Sequence, residues 1–207
     1  GYSEVSLELL ESGVEDIYVS YHGDGAIFKM KDGRLLTDKV YSHSSAINVI
    51  EEYDKLHFID GKLSAIQIGE EIFGFRYING FESYGKLINT ALKLVNKDVE
   101  VDKVIVDYHC RIVSFKEGGY YAKVPVDYTK FKEVYSSKKL RQIQKTANKC
   151  YLLTDDNEMI IYSDGDLETR GNHSFSGNVL SGVVQINLSG GEIEVTKVNG
   201  DKILLPD

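Results

Sequence analysis

Three pairs of polar or aromatic residues recur at the same place in separate segments of this chain. Each pair lies between two short apolar stretches. Phenol, imidazole, amide and amine groups form hydrogen bonds, so side chains of this kind are suited to lining a binding site. Together with one further tyrosine beside a predicted strand, they give the predicted binding residues, which are Tyr21, His22, Tyr53, Tyr108, His109, Asn148 and Lys149. The alternative is that each histidine bonds to a nearby backbone carbonyl and fixes a turn, since buried polar groups are normally satisfied locally.

Tyrosine is the most frequent aromatic residue, with 14 Tyr against 8 Phe and no Trp. An exposed tyrosine has an apolar ring and a polar tip, which suits contact with a protein or a sugar. A tyrosine in a strand also packs well against its cross-strand neighbours, and this is the alternative interpretation.

Acidic and serine-containing stretches match catalytic or metal-binding patterns only in part. Asp155-Asp156-Asn157-Glu158 and the segment 164–168 offer oxygen ligands of the kind that calcium prefers, but they lack the full calcium-loop pattern. Asp and Gly are also ordinary turn residues, so turns are the favoured interpretation. The segment 171–177 approaches a nucleophile elbow with the wrong spacing. Because zinc-type histidine spacing and nucleotide-binding fingerprints are missing too, the sequence predicts no catalytic residue, no metal site and no cofactor.

The two cysteines, Cys110 and Cys150, do not form a metal-binding CxxC pattern or a disulfide framework. Each one opens an apolar segment at an equivalent position in adjacent segments. Free cysteine is among the most buried residue types, so packing in the core is the favoured interpretation over redox chemistry. Two unpaired cysteines fit a reducing compartment such as the cytoplasm.

Composition and charge restrict the class of protein. The chain has 207 residues, of which 42% are hydrophobic and 27% charged, as is typical of a globular protein. Its net charge of -8 argues against a nucleic-acid binder and against docking on an anionic membrane. No apolar run is long enough to cross a bilayer. We therefore expect a soluble protein whose partners are neither nucleic acids nor membranes.

A hairpin-bearing unit recurs about five times along the chain. Each unit has an apolar pair, a polar link, an apolar strand, a tight turn and a closing strand. Asp-Gly and Asn-Gly favour the positive φ values that tight hairpin turns need. The five predicted turns are Lys31-Asp32-Gly33-Arg34, Ile59-Asp60-Gly61-Lys62, Lys116-Glu117-Gly118-Gly119, Asp155-Asp156-Asn157-Glu158 and Val198-Asn199-Gly200-Asp201.

A repeat of roughly 40 residues with several strands per unit is typical of a propeller blade. We predict an all-β fold, a propeller-like ring of about five small antiparallel blades in a single domain. Residues 2–10 alternate polar and apolar side chains and are expected to add a strand to the last unit. Segments 83–96 and 127–148 have features of helices, and a short helix in one of them is the alternative to strands with long links. The predicted units are 14–46, 47–99, 100–139, 140–182 and 183–207.

Two of these units resemble a known family. The fourth reads Leu140-Arg141-Gln142-Ile143 and then YLLTDDNEMIIYSDGD from Tyr151. The third reads Val106-Asp107-Tyr108-His109-Cys110, followed by Ile112-Val113-Ser114-Phe115 and a glycine turn. Both are similar to blades of the regulator of chromosome condensation family of β-propellers. The resemblance implies a platform for protein interactions.

The expected function is recognition without catalysis. The loops and the mouth of a channel would contact a protein or a glycan. One alternative is a carbohydrate-active enzyme that uses acidic residues at the channel mouth, because a glycosidase needs two carboxylates across a site. Another is an assembly domain of a larger bacterial or phage particle.

Overall fold

The structure, a computed structural model, describes most of the chain. The described residues are 13–21, 25–37, 47–76, 80–95, 98–107, 110–125, 131–146, 149–163, 178–189 and 192–205. Within these ranges the chain forms β-strands and one helix, α1 (Leu87–Val95). The prediction of an all-β fold is confirmed, and of the two segments with features of helices, 83–96 contains the short helix. The described part of segment 127–148 is extended, so no helix forms there.

The strands form five small antiparallel sheets, and neighbours in each sheet follow the order of the chain. Sheet A contains β1 (Val14–Val19), β2 (Ala26–Met30), β3 (Leu35–Thr37) and β4 (Val49–Ile50). Sheet B contains β5 (Lys55–Ile59), β6 (Lys62–Ile68), β7 (Glu71–Arg76) and β8 (Gly80–Ser83). Sheet C contains β9 (Val101–Val106), β10 (Arg111–Phe115), β11 (Tyr120–Pro125) and β12 (Phe131–Ser136). Sheet D contains β13 (Leu140–Lys145), β14 (Lys149–Thr154), β15 (Glu158–Ser163) and β16 (Asn178–Ser181). Sheet E contains β17 (Val183–Ser189), β18 (Glu192–Lys197) and β19 (Lys202–Leu205). This up-and-down order of three or four strands is that of propeller blades, so the predicted class of five small antiparallel blades is confirmed.

Four of the five predicted turns occupy equivalent places. They join the second and third strands of sheets A, C, D and E. In each turn the backbone N–H of the third residue donates to the carbonyl three residues earlier, as in Gly33 to Met30 at 2.9 Å. That third residue has a positive φ in all four turns, and in sheet D it is Asn157 with φ 63°. Glycine and asparagine adopt this conformation at little cost, which explains why they occur there.

The second unit differs from the prediction. Its Asp60-Gly61 turn joins the first and second strands of sheet B, β5 and β6, and does not match the other four turns. This unit also starts later than the predicted residue 47, because Val49 and Ile50 form β4 at the edge of sheet A. Sheet B therefore begins at Lys55, and the five first strands start at more regular intervals of roughly 40 residues.

One backbone hydrogen bond recurs in four sheets. The residue that follows the second strand donates its N–H to the carbonyl of the residue that precedes the first strand. The donor–acceptor pairs are Lys31–Gly13, Lys116–Glu100, Asp155–Lys139 and Val198–Gly182, at 2.9 to 3.1 Å. We call this bond the closing bond of a sheet. In sheet B the equivalent place is taken by the Asp54 carboxylate, which accepts from the N–H of Gly69.

The chain divides into two compact units, Gly1–Thr90 with Lys103–Asp107, and Ala91–Asp102 with Tyr108–Asp207. In the first unit, sheets A and B bury one shared apolar cluster. Its fully buried members are Ile27, Leu35, Ile50, Leu63, Ile66, Phe75 and Phe81. Burial of such side chains contributes roughly 1.5–3 kcal/mol each, so this cluster is the main source of stability of the first unit.

In the second unit, side chains link sheets C, D and E. Sheets D and E share an apolar cluster formed by Tyr151, Leu153, Met159, Val183, Ile186, Ile193 and Val195. Sheets C and D are joined by a contact between the buried hydroxyl groups of Tyr120 and Tyr162, at 3.3 Å. Burial raises the pKa of the Tyr162 hydroxyl, so it stays neutral within this contact.

A disulfide also joins sheets C and D. It links Cys110, just before β10, to Cys150 in β14, with a Cα–Cα distance of 6.4 Å. Both residues are buried, as predicted. The prediction that the two cysteines are unpaired is wrong, because the two equivalent positions lie within the distance that a disulfide spans.

Residues 2–10, predicted to complete the last sheet, lie outside the described residues. Sheet E has three strands in the described part of the chain, whereas the other sheets have four. The last strand, β19, carries Ile203 and Leu204, which are both exposed. That residues 2–10 supply a fourth strand stays a prediction.

Candidate functional site

Three of the seven predicted binding residues lie in the described part of the chain. Tyr21 and Tyr53 belong to the first unit, and Lys149 belongs to the second. The other four, His22, Tyr108, His109 and Asn148, lie outside the described residues. A single site formed by all seven residues therefore stays a prediction.

Tyr21 is held by the backbone at the end of β1. Its N–H donates to the carbonyl of Leu63 at 2.8 Å, and the preceding Ser20 forms a parallel bridge with the same residue of sheet B. Burial raises the pKa of the Tyr21 hydroxyl, and the nearby carboxylate of Asp60 raises it further. The phenol is therefore neutral and stays a hydrogen-bonding group at any physiological pH.

Tyr53 lies two positions before the first residue of β5 and is half-buried against the apolar cluster of sheets A and B. Its hydroxyl is close to Tyr18 of β1, whose pKa is raised first by burial and then by Asp16, with a smaller contribution from Tyr53. Tyr53 thus packs partly against the core and lies beside the first strand of sheet A.

Lys149, the third of these residues, opens β14 of sheet D and is half-buried. Its carbonyl accepts the N–H of Thr146 at 3.0 Å, which closes the link between β13 and β14. This backbone contact of Lys149 is local, at a strand junction.

The first strand of sheet A exposes apolar side chains. Ile17 is 56% exposed and Val19 is 52% exposed, although the same sheet fully buries Ile27 and Leu35. Between them, Tyr18 packs on Phe58 of β5 with ring centroids 5.2 Å apart and the planes at 72°. Phe58 is itself 41% exposed. We call Ile17, Tyr18, Val19 and Phe58 the β1 surface, in which Ile17 and Val19 point to one face of the strand and Tyr18, with Phe58, lies on the other.

The β1 surface was not predicted from the sequence. Ile17 is an apolar residue of a predicted strand, and such a residue normally indicates burial. The predicted residues Tyr21 and Tyr53 lie beside this surface, at the end of β1 and before β5. The prediction of Tyr21 as a binding residue gave no indication of the exposed apolar side chains next to it, and a binding role for Tyr21 stays a prediction.

Two carboxylates adjoin the β1 surface. Asp16 is exposed, and its Oδ1 accepts the N–H of Ile17 at 2.8 Å. Asp60 is exposed in the turn between β5 and β6, close to the Tyr21 hydroxyl. In the part of the chain that the structure describes, neither carboxylate forms an ion pair. Glu15 differs, because it binds Lys29 at 2.9 Å. The β1 surface thus has charges of both signs beside it, because Lys29 is the cross-strand partner of Asp16 and the exposed Lys55 and Lys62 lie on the hairpin that carries Asp60.

His57 is a buried histidine in β5. Its exposed fraction is 5%, and its Nε2 lies 3.4 Å from the Oε1 of Gln67. Burial lowers the pKa of the imidazole, and this effect exceeds the opposing effect of Gln67. His57 is therefore a buried strand residue whose imidazole contacts the side chain of Gln67.

The stability of the first unit is expected to fall as the pH drops through the range in which an unfolded histidine titrates. The pKa of His57 is lower in the folded chain than in the unfolded chain. Below about pH 6.5 the unfolded chain therefore binds a proton at His57 more readily than the folded chain does, and protonation favours unfolding. Urea denaturation at a series of pH values should show a shallower loss for His57→Gln than for the native chain. Parallel profiles for the two proteins would contradict this assignment.

The second unit has a cationic side-chain cluster on sheet C. The guanidinium of Arg111 lies 4.4 Å from the ring centroid of Phe131, and Lys123 Nζ lies 3.7 Å from Glu133. These cations already contact an aromatic ring or a carboxylate. The described residues contain no group of three or more His, Cys, Asp or Glu side chains that could hold a metal ion. The single described helix is too short to cross a membrane.

No protein-family model matches the chain, and no curated protein matches it. Human WBSCR16 is a similar solved structure, with 12% identity over 87% of this chain and 59% of that chain, and a TM-score of 0.48. BBS1N in complex with ARL6DN has 12% identity over 94% of this chain and 68% of that chain, with a TM-score of 0.37. BamB from Moraxella catarrhalis has 11% identity over 91% of this chain and 81% of that chain, with a TM-score of 0.27.

The sequence identities and TM-scores of these similarities are low. The evidence for the fold of this chain is its own five sheets. The chain spans about three fifths of the length of the WBSCR16 chain. Since no family model matches, the resemblance to the regulator of chromosome condensation family stays a prediction.

Proposed function

We propose that the chain is a recognition module without chemistry of its own, and that it binds another protein through the β1 surface. The observation that carries this proposal is the exposure of Ile17 and Val19, more than half of each side chain, on one face of β1. Single exposed apolar residues are ordinary, but two branched aliphatic side chains exposed on the same face of one strand are typical of an interaction site.

A protein partner accounts for this surface better than a glycan does. A glycan binds through hydrogen bonds and stacking on aromatic rings, and Phe58 and Tyr18 are suited to stacking. Branched aliphatic side chains such as Ile17 and Val19 gain free energy mainly by contact with other apolar groups. Covering the exposed half of both side chains would contribute roughly 2 kcal/mol, or about a 30-fold change in Kd.

Photo-crosslinking in the native host tests this proposal. A photoreactive amino acid at position 19 is expected to form an adduct with a protein partner, and the added substitution Ile17→Ser is expected to weaken that adduct. Because Ile17 is already exposed, this substitution should leave the melting temperature nearly unchanged.

Position 179 provides the matched control, because Val179 is 56% exposed on β16, as exposed as Ile17. Adducts of equal yield from positions 19 and 179 would show that apolar exposure alone captures neighbours, and the proposal would fail. An adduct that glycosidases remove would identify a glycan partner instead, which also contradicts the proposal.

A further inference from the structure

Both sulfur atoms of the Cys110–Cys150 disulfide are hidden inside the second unit. Cys110 is 0% exposed and Cys150 is 3% exposed, and the bond joins sheet C to sheet D. A disulfide forms or breaks when a thiolate attacks an accessible sulfur, so the reaction needs room beside one of the two sulfur atoms. Burial of both cysteines therefore separates the bond from oxidants and reductants in solution.

The surroundings of Cys150 show how much of the fold must open to reach the bond. Its strand β14 lies inside sheet D, between β13 and β15, and Cys150 is the cross-strand partner of Tyr162. The Tyr162 hydroxyl in turn contacts the Tyr120 hydroxyl of sheet C. Ile112 and Leu152, two positions after each cysteine, are fully buried as well. Access to the sulfur atoms therefore requires sheets C and D to separate, because the motion of one surface side chain would not uncover them.

Formation of the bond passes through an intermediate for which the packed sheets leave no space. The thiolate of one cysteine attacks the disulfide of an oxidant, which joins half of the oxidant to that cysteine and releases the other half as a thiol. The second cysteine thiolate then attacks the same protein sulfur and releases the rest of the oxidant as a second thiol. The two cysteines thus lose two protons and two electrons, and the oxidant disulfide becomes two thiols. Half of a glutathione-sized oxidant does not fit on a cysteine that is at most 3% exposed in a close-packed interior.

We propose that a disulfide-bearing oxidant joins Cys110 to Cys150 before sheets C and D pack, and that the packed sheets then shield the bond from reductants. This inference goes beyond the proposed function, because it names a reaction that must act on the chain before the second unit is complete. The bond then reports the compartment in which the chain folds. A folded chain that later enters a reducing solution keeps the bond for as long as sheets C and D stay together.

Oxidation of the reduced chain, started before or after refolding, tests this order of events. The full chain is reduced in urea, freed of reductant and mixed with oxidised glutathione, either in urea or after refolding in buffer has been checked by circular dichroism. Loss of free thiols should be at least about 100-fold slower after refolding, because only molecules that open transiently expose the two cysteines.

Reduction of the native chain is a second measurement, and it does not require the reduced chain to refold. Dithiothreitol is added to the oxidised chain in buffer and in urea, and the appearance of free thiols is followed in both. Reduction should again be at least about 100-fold slower in buffer, for the same reason.

Val179→Cys provides the control for the effect of urea on thiol exchange itself. Val179 lies on β16 of sheet D and is 56% exposed. In a chain that keeps the native disulfide, the added thiol should react with oxidised glutathione at nearly the same rate in buffer and in urea. The ratio of these two rates corrects the comparisons made for Cys110 and Cys150.

Each outcome bears on the inference. Equal oxidation rates in urea and after refolding would show that the bond forms between packed sheets, which overturns the proposed order. Equal reduction rates in buffer and in urea would show that the packed sheets do not shield the bond, which overturns the second part. Slow reactions in buffer beside a freely reacting control thiol support the inference. A reduced chain that does not refold also supports the order, because the sheets then pack only after oxidation.

Discussion

Replacing both Cys110 and Cys150 with alanine is expected to lower the free energy of unfolding of the second unit by about 4 kcal/mol. The bond closes a loop with a sequence separation of 40, which restricts the unfolded chain far more than the folded one. Both cysteines are buried between sheets C and D, so the bond also holds two packed sheets together. Denaturant titration without reductant, followed by a probe in residues 108–207, measures the change.

Reductant provides the control for this prediction. It should destabilise the native chain by a similar amount and leave the alanine variant unaffected. If the native protein, unfolded without reductant, shows two reactive thiols, the assignment of the disulfide is wrong. A confirmed bond would indicate a protein that folds in an oxidising compartment, in contrast to the reducing compartment predicted from two isolated cysteines.

Substituting Gly80 with alanine is expected to destabilise the first unit by roughly 3 kcal/mol. An added Cβ would lie 2.5 Å from the carbonyl oxygen of Ile47 and 2.9 Å from Asn48 Oδ1. That carbonyl accepts the N–H of Phe81 at 2.8 Å, a bond that ties the segment before β4 to β8. The methyl group would therefore displace backbone and break a hydrogen bond between sheets A and B. Thermal and urea unfolding of the purified variant would measure the loss.

Gly85 offers a closely matched control. Its φ is +69° against +70° for Gly80, yet an added Cβ would meet nothing within 4 Å. Gly85→Ala should thus cost only the strain of the left-handed conformation, about 1 kcal/mol. Similar losses for the two variants would mean that the approach of Ile47 to Gly80 contributes nothing.

The hairpins were predictable because their signal is local. Gly33, Gly118, Asn157 and Gly200 each take a positive φ at the third position of a turn, and the residue type alone indicates this. The sequence around Asp60-Gly61 shows what a local turn signal does not predict. The dipeptide indicates that a tight turn forms, but the identity of the two joined strands depends on pairing across sheet B.

The disulfide and the β1 surface depend on contacts between elements distant in the sequence. Cys110 and Cys150 were placed at equivalent positions, but their pairing requires a 6.4 Å approach that one sequence does not specify. Ile17 and Val19 are ordinary strand residues by type. Whether they are exposed depends on which other elements pack against β1. The periodicity of apolar residues along the chain does not contain this information.

The closing bond of each sheet has a consequence for how such a chain evolves. In sheets A, C, D and E it joins main-chain atoms only, so no particular side chain is required to form it. The sequences of successive sheets can therefore diverge until they are no longer recognisably similar, while the strand arrangement of each sheet is kept. In sheet B the Asp54 carboxylate takes this role. We therefore expect substitutions at position 54 to be tolerated less well than substitutions at the equivalent positions of the other four sheets.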